Sequence, residues 1–183
     1  MKKVYVTFGR LNPPTIGHEK LLKAVQPKAG SDDWWIVTSQ SVNQKTDPLP
    51  YKTKVEIIQK MFPWAADNID DTACCKTPID VMKHLMMKGY SDVVLVVGSD
   101  RMGSMKFVQN YNRSDEYSFN TLEIESAGER DPDADGAAGM SASKMREAAK
   151  AQNTTDFIAG IPDTLTIQEK LELMIEVRKG MGL

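Results

Sequence analysis

The alternation of short apolar runs with helical patterns constrains the fold of this chain more than any other feature. The clearest run is "DVVLVV" at residues 92–97, an unbroken and largely β-branched segment typical of a strand covered on both faces. Residues 3–8 and 34–39 have the composition of two further strands. Weaker strands are expected near residues 68–75 and 117–126.

Helical spacing separates these runs. The pattern predicts helices at 16–25, 52–62, 79–88, 143–151 and 167–178, with a short helix after Arg101. Repeated strand–helix units indicate an α/β fold: a doubly wound, Rossmann-like, five-stranded parallel sheet with helices on both faces. The strand order expected for it is 3-2-1-4-5. We expect residues 1–151 to form the α/β domain and residues 152–183 to be a helical C-terminal appendage of the same domain.

Charge and cysteine content narrow the class of protein. The 23 basic and 25 acidic residues leave a net charge of -2, so nothing global favours long nucleic acid or an anionic membrane as partner. No segment approaches membrane-spanning length or a secretion signal, which predicts a cytoplasmic protein. Cys74 and Cys75 are expected to be buried thiols, because neighbouring cysteines rarely meet disulfide geometry. No zinc site is expected, and His84 is interpreted as structural.

The loop after the first strand, "GRLNPPTIGH", combines rigid and flexible residues. In such a sheet ligands bind beyond the carboxyl ends of the strands. Gly9 lets the backbone leave the sheet, two prolines stiffen the turn, and Gly17 leaves room for a phosphate at a helix start. Thr15 and His18 could then hydrogen-bond an oxyanion. A capped helix with a packed histidine would explain Thr15 but not the prolines or Gly17.

The loop after the fourth strand, "VVGSDRM", is the second candidate. Gly98 ends the strand, Asp100 could accept a hydrogen bond from a ribose or acceptor hydroxyl, and Arg101 could reach a phosphate. The same residues are also common in an ordinary turn and helix cap, so this loop alone is weak evidence.

The third candidate is "GMSASKMREAA" at residues 139–149. Ser141 and Ser143 are placed to cap a helix, and Lys144 and Arg146 project from its first turn beside free backbone amides. Hydroxyls, amides and two cations together suit a triphosphate. A plain capped helix would explain the serines without the cations. The preceding segment, residues 126–139, is expected to be a mobile loop and a candidate lid.

Two of these motifs resemble those of the nucleotidylyltransferase superfamily. Residues 15–18, "TIGH", resemble its (H/T)xGH signature. Residues 140–146 resemble its ISxTxxR motif, with Met140 in place of isoleucine and Ser143 in place of threonine. Residues 39–58 are similar to a segment of nicotinamide-mononucleotide adenylyltransferases, with Asp47 in place of an asparagine. There Lys45, Lys52 and Lys54 are candidates for a cation at the transferring phosphate or at the acceptor. Over about residues 3–160 the motif set looks like nucleotidyltransferase-like proteins of tailed bacteriophages, which implies the host cytoplasm.

The resemblance implies transfer of an NMP group from a nucleoside triphosphate to a small phosphorylated acceptor, with release of pyrophosphate. ATP is preferred over CTP, and nicotinamide mononucleotide is the first-choice acceptor. Mg²⁺ is expected to enter with the triphosphate, without metal ligands from the protein. The implied catalytic residues are His18, Thr15, Arg146 and Lys45. The implied nucleotide-binding residues are Phe8, Gly9, Arg10, Gly17, His18, Gly98, Asp100, Arg101, Ser141, Ser143, Lys144 and Arg146.

Two alternatives and one open point accompany this hypothesis. A nucleotide-binding structural or regulatory protein that keeps the pocket without turnover would carry the same motifs. Class I aminoacyl-tRNA synthetases share the fold and echo "TIGH" and "MSASK", but 183 residues leave no space for an anticodon domain. Relatives often assemble, so a homo-oligomer is also left open.

Overall fold

The computed structural model describes residues 1–128 and 139–183. The described residues form a five-stranded sheet in the order β3-β2-β1-β4-β5, and β1 pairs in parallel with both β2 and β4, as does β4 with β5. The strands are β1 Lys3–Gly9, β2 Asp33–Thr38, β3 Ile69–Asp70, β4 Asp92–Val97 and β5 Thr121–Ser126. The predicted fold class and strand order are therefore confirmed.

Helices connect the strands throughout the described chain. They are α1 Ile16–Ala29, α2 Tyr51–Met61, α3 Pro78–Met87, α4 Met102–Met105, α5 Phe107–Asn110, α6 Ala142–Lys150, α7 Thr154–Ala159 and α8 Ile167–Gly180. Short 3-10 turns add Pro63–Asn68 and Ser99–Arg101. No helix among these described residues is both long and apolar enough to cross a membrane.

The chain divides into two compact units. The first consists of residues 1–9, 21–39 and 70–130 and contains the apolar core around β4. Every residue from Val93 to Val97 in that strand is buried, which explains its unbroken apolar sequence. The second unit consists of residues 10–20, 40–69 and 131–183. It contains the predicted (H/T)xGH and ISxTxxR segments.

In the second unit, the C-terminal helices pack closely against other segments. Arg178 at the end of α8 donates to the carbonyl oxygen of Ala149 at 2.7 Å, and Gly180 lies so close to Pro48 that a Cβ would meet its carbonyl oxygen. The backbone N–H of Ile16 donates to the carbonyl of Gly160 at 3.0 Å. The predicted helix at 167–178 is thus present and α7 is additional. The predicted lid at 126–139 falls mostly on residues 129–138, outside the described residues.

Two predicted strands are shorter than expected. The strand predicted at 68–75 stops after Asp70, because the Asp70 carboxylate accepts the backbone N–H of Thr72 at 3.0 Å and starts a turn. The strand predicted at 117–126 begins only at Thr121. Before it, buried Tyr117 donates its hydroxyl to the carbonyl of Val108, so the chain there packs as a loop.

The prediction of two free thiols is wrong. Cys74 and Cys75 form a disulfide in the irregular segment between β3 and α3. An irregular backbone allows both side chains to turn to the same side of their shared peptide bond, which regular secondary structure does not. Sequence separation alone therefore did not decide whether the two sulfurs could meet.

Candidate active site

The loop between β1 and α1 fixes the orientation of His18. The backbone N–H of Thr15 donates to Nδ1 of His18 at 3.0 Å, and the Thr15 hydroxyl lies 3.2 Å from the same nitrogen. Because Nδ1 accepts from a backbone N–H, the hydrogen of the neutral ring belongs on Nε2. The buried imidazole is therefore held as a donor through Nε2, which is the form that can stabilise an oxyanion.

The same threonine ties this loop to the segment before α6. The Thr15 hydroxyl donates to the carbonyl oxygen of Met140 at 2.7 Å. That carbonyl also approaches Gly17, where a Cβ would stand only 2.8 Å from it. The need for glycine at position 17 is thus explained by the close Met140 backbone, whereas the sequence argument assigned the space to a phosphate. The (H/T)xGH and ISxTxxR segments meet at this carbonyl.

Arg146 makes a second link between the two segments. Its guanidinium donates to the carbonyl oxygen of Asn12 at 2.9 Å and lies 3.4 Å from the Ser143 hydroxyl. Burial is the main cause that lowers the Arg146 pKa below its ordinary value; Arg10 lowers it further and Asp47 opposes the shift. The residue stays cationic, and its partial desolvation strengthens its interaction with an anion.

A buried polar cluster holds the first half of the loop between β1 and α1, at Arg10 and Asn12. Asn12 exchanges two hydrogen bonds with the backbone of Leu49, one at 2.9 Å and one at 3.3 Å. Lys54 on α2 is fully buried and donates to the carbonyl oxygen of Arg10 at 2.6 Å. Burial lowers the pKa of Lys54 to about 8, although the nearby Asp47 carboxylate partly offsets this. Segment 45–54 therefore holds the loop at the Arg10 carbonyl and at the Asn12 side-chain amide.

Asp47 is the acidic member of this cluster. Its Oδ2 accepts from the Asn43 amide at 2.8 Å and from the Thr46 hydroxyl at 2.7 Å, and the Arg10 guanidinium lies 4.0 Å away. Its Oδ1 is buried and has no hydrogen-bond partner among the described residues. The carboxylate thus places one negative charge near three cations, Arg10, Lys54 and Arg146.

The remaining predicted residues of the second unit occupy different positions. Ser141 is the N-cap of α6, and its hydroxyl accepts from the backbone N–H of Lys144 at 3.2 Å. Ser143 is exposed and does not cap the helix; it contacts Arg146 instead. Lys45 is exposed, and its backbone N–H donates to Asn43. No described contact brings its side chain to His18, so its predicted catalytic role stays a prediction.

The other predicted ligands belong to the first unit. Phe8 and Gly9 end β1. The Gly9 carbonyl accepts from the Thr38 hydroxyl at the end of β2 at 3.1 Å and from the backbone N–H of Ser39, the residue after β2, at 3.0 Å. Asp100 and Arg101 are exposed. The carboxylate of Asp100 folds back so closely that a Cβ at Gly98 would stand 2.7 Å from its Oδ1. Their roles with a nucleotide stay predictions.

The region similar to a known protein family includes both motif segments, 15–18 and 140–146. A family model described as cytidylyltransferase-like matches residues 6–158. No curated protein matches the chain.

Several solved structures have a similar fold at low sequence identity. A nicotinic acid mononucleotide adenylyltransferase of Plasmodium falciparum complexed with NaAD shares 13% identity at a TM-score of 0.61, over 96% of this chain and 98% of that one. A Vibrio parahaemolyticus protein assigned as a nicotinate-nucleotide adenylyltransferase shares 14% sequence identity at a TM-score of 0.59, over 99% of this chain and 95% of that one. A bifunctional NMN adenylyltransferase/ADP ribose pyrophosphatase of Francisella tularensis shares 13% sequence identity at a TM-score of 0.55, over 100% of this chain and 51% of that one. Because its family model spans most of the sequence, the chain belongs to the cytidylyltransferase-like family.

Proposed function

We propose that this protein is a nucleotidyltransferase that moves an NMP group, AMP from ATP in the first instance, onto a small phosphorylated acceptor. The observation that carries the proposal is that two hydrogen bonds, Thr15 to Met140 and Arg146 to Asn12, join segment 10–18 to segment 140–146. The first segment carries His18, oriented as an Nε2–H donor, and the second carries Arg146. A neutral donor and a cation on linked backbones form a site for phosphate groups.

In the proposed reaction, an oxygen of the acceptor phosphate attacks the α-phosphorus of the nucleoside triphosphate. The bond from the α-phosphorus to the oxygen bridging it to the β-phosphorus breaks, and pyrophosphate leaves with that oxygen. No covalent enzyme intermediate is required, so the protein contributes positioning and charge stabilisation. His18 donates to a non-bridging oxygen of the transferring group, Thr15 keeps the ring in place, and Arg146 binds the β- and γ-phosphates.

We assign Mg²⁺ to the substrate rather than to a protein cage. The single carboxylate of the cluster, Asp47, is already hydrogen-bonded to Asn43 and Thr46. The other side chains gathered at the site are an imidazole, hydroxyls and a guanidinium, which suit phosphate oxygens better than a hard cation. Mg²⁺ bound to the triphosphate would neutralise charge on the pyrophosphate leaving group.

The proposal also names the acceptor and the nucleobase of the triphosphate. Nicotinamide mononucleotide is the first choice because the segment holding Asp47 and Lys54 resembles that of enzymes using it. The similar solved structures include proteins named for nicotinate or nicotinamide nucleotides, and one of them is complexed with NaAD. ATP is accordingly preferred over CTP.

Release of pyrophosphate from defined substrate pairs tests the proposal. ATP or CTP is mixed with nicotinamide mononucleotide, nicotinate mononucleotide, phosphocholine or a sugar phosphate in the presence of Mg²⁺. We expect release with one pair, together with formation of the matching nucleotidyl product, and release slower by roughly 10²-fold in His18→Ala. The exposed residue Gln26 on the same helix offers the matched control Gln26→Ala, expected to stay active. Tight nucleotide binding without release from any pair would instead identify a nucleotide-binding protein that does not turn over.

A further inference from the structure

A second cluster of polar side chains lies in the first unit, around the turn between β3 and α3. It consists of Asp70, Cys74 and His84, whose oxygen, sulfur and nitrogen ligand atoms all lie within 4.8 Å of one another. The proposed nucleotidyl transfer uses none of them. Carboxylate, thiolate and imidazole are the three donors that Zn²⁺ takes most often in proteins.

Two of these donors already face each other. Asp70 is only 3% exposed, and its Oδ2 accepts from Nε2 of His84 at 2.8 Å and from Nζ of Lys88 at 3.1 Å. Its other oxygen is fixed by the backbone N–H of Thr72. The carboxylate is thus held in one orientation. A Zn²⁺ ion bound by both atoms at about 2.0 Å in a tetrahedral set needs Oδ2 and Nε2 to be about 3.3 Å apart, so the His84 ring has to withdraw by roughly 0.5 Å.

The third donor, the sulfur of Cys74, cannot ligate an ion as a thiolate while it is bonded to the sulfur of Cys75. The two cysteines have different surroundings: Cys75 is 1% exposed and belongs to the apolar core, whereas Cys74 is half-buried. Cys74 also lines a cavity of about 360 Å³ together with His84 and Thr72. Of the two sulfurs, only that of Cys74 is therefore placed to ligate an ion.

The geometry points to a Zn²⁺ site formed by Asp70, Cys74 and His84 that the Cys74–Cys75 disulfide closes and a thiol reductant opens. Two thiol equivalents deliver two electrons and two protons to the S–S bond, giving two cysteine thiols and one disulfide of the reductant. Zn²⁺ then displaces the proton of the Cys74 thiol, which is released to solvent. His84 binds as a neutral imidazole through Nε2 and carries its hydrogen on Nδ1.

The nearby cations are compatible with this occupant. Lys88 would compete with Zn²⁺ for Oδ2 of Asp70, but its ammonium also lies 4.2 Å from the ring centroid of Trp35 and keeps that contact. Lys83, which lines the same cavity, is paired with Glu116. The fourth coordination position faces the cavity, where water completes a tetrahedral set.

Direct titration with Zn²⁺ alone tests the site on the full chain. We expect one ion per chain after treatment with a phosphine reductant, and affinity weaker by at least roughly tenfold after reoxidation. Co²⁺ in place of Zn²⁺ should give a thiolate-to-metal charge-transfer band only in the reduced protein. Equal affinity in the two redox states, or no charge-transfer band, would overturn the proposal.

The two cysteines provide a matched pair of variants. Cys75→Ala removes the disulfide and leaves the ligand, so it should bind Zn²⁺ without reductant. Cys74→Ala removes both and should bind Zn²⁺ no more tightly than the oxidised wild type, with or without reductant. His84→Ala should bind at least roughly tenfold more weakly than the reduced wild type, since loss of even an outer-shell partner typically costs that much. Equal binding by the two cysteine variants would exclude Cys74 as a ligand. If thermal melting shows that Cys75→Ala does not fold, reduced wild type against Cys74→Ala decides the same question.

Discussion

At the scale of single residues, the orientation of one imidazole carries the proposed chemistry. His18→Ala removes the Nε2–H donor that the Thr15 backbone holds in place. We expect turnover to fall by roughly 10²-fold, as for loss of one oxyanion donor, with nucleotide affinity largely kept. Steady-state rates together with calorimetric binding of the triphosphate measure the two effects. Thr15→Val keeps the backbone donor and should therefore lose less turnover; an equal loss of affinity in His18→Ala would contradict this role.

Arg146 should act on binding rather than on turnover. Lysine at this position keeps the positive charge but cannot reproduce the fork that reaches the Asn12 carbonyl and the Ser143 hydroxyl together. We expect Arg146→Lys to weaken triphosphate affinity by about tenfold, and Arg146→Ala to weaken it further. Calorimetric titration with ATP checks this. Lys150→Ala, an exposed cation at the other end of α6, is the control and should bind as wild type.

At the scale of elements, the start of α1 depends on the close approach of another backbone. A Cβ at position 17 would stand 2.8 Å from the Met140 carbonyl, which cannot retreat without breaking its bond to Thr15. Gly17→Ala should therefore destabilise the protein by about 1–3 kcal/mol. Urea unfolding measures the change. Gly103→Ala is the matched control, because nothing lies within 4 Å of a Cβ there, and it should be neutral or slightly stabilising.

Local patterns predicted the elements better than they predicted the contacts between them. The buried strand at residues 92–97 has the predicted bounds, since an apolar β-branched run encodes its own conformation. The (H/T)xGH and ISxTxxR segments were both predicted as phosphate-binding. Their connection through the Met140 and Asn12 carbonyls was not predicted, because backbone atoms leave no residue signature. Lys54 was one of three lysine candidates, of which Lys45 was preferred as catalytic, whereas in the structure Lys54 is the buried one and donates to the Arg10 carbonyl.

At the scale of the whole molecule, burial of the Lys54 ammonium makes stability depend on pH. In the folded protein burial lowers the pKa of Lys54 to about 8, against an ordinary value of 10.5. Between these two pH values the unfolded chain binds more protons at this residue than the folded one does. The free energy of unfolding contributed by Lys54 therefore rises as pH increases from about 8 to 10.5. Below pH 8 the full cost of burying the charge is present.

Comparison with Lys54→Met isolates this contribution from all other titrating groups. Methionine has a similar length and carries no charge, so it removes the cost of desolvation but also the hydrogen bond to the Arg10 carbonyl. The stability of Lys54→Met relative to wild type should be highest near pH 7 and should decrease steadily up to pH 10. Urea unfolding of both proteins at pH 7, 8, 9 and 10 gives the difference directly. A difference independent of pH would mean that the Lys54 pKa is the same in the folded and unfolded protein.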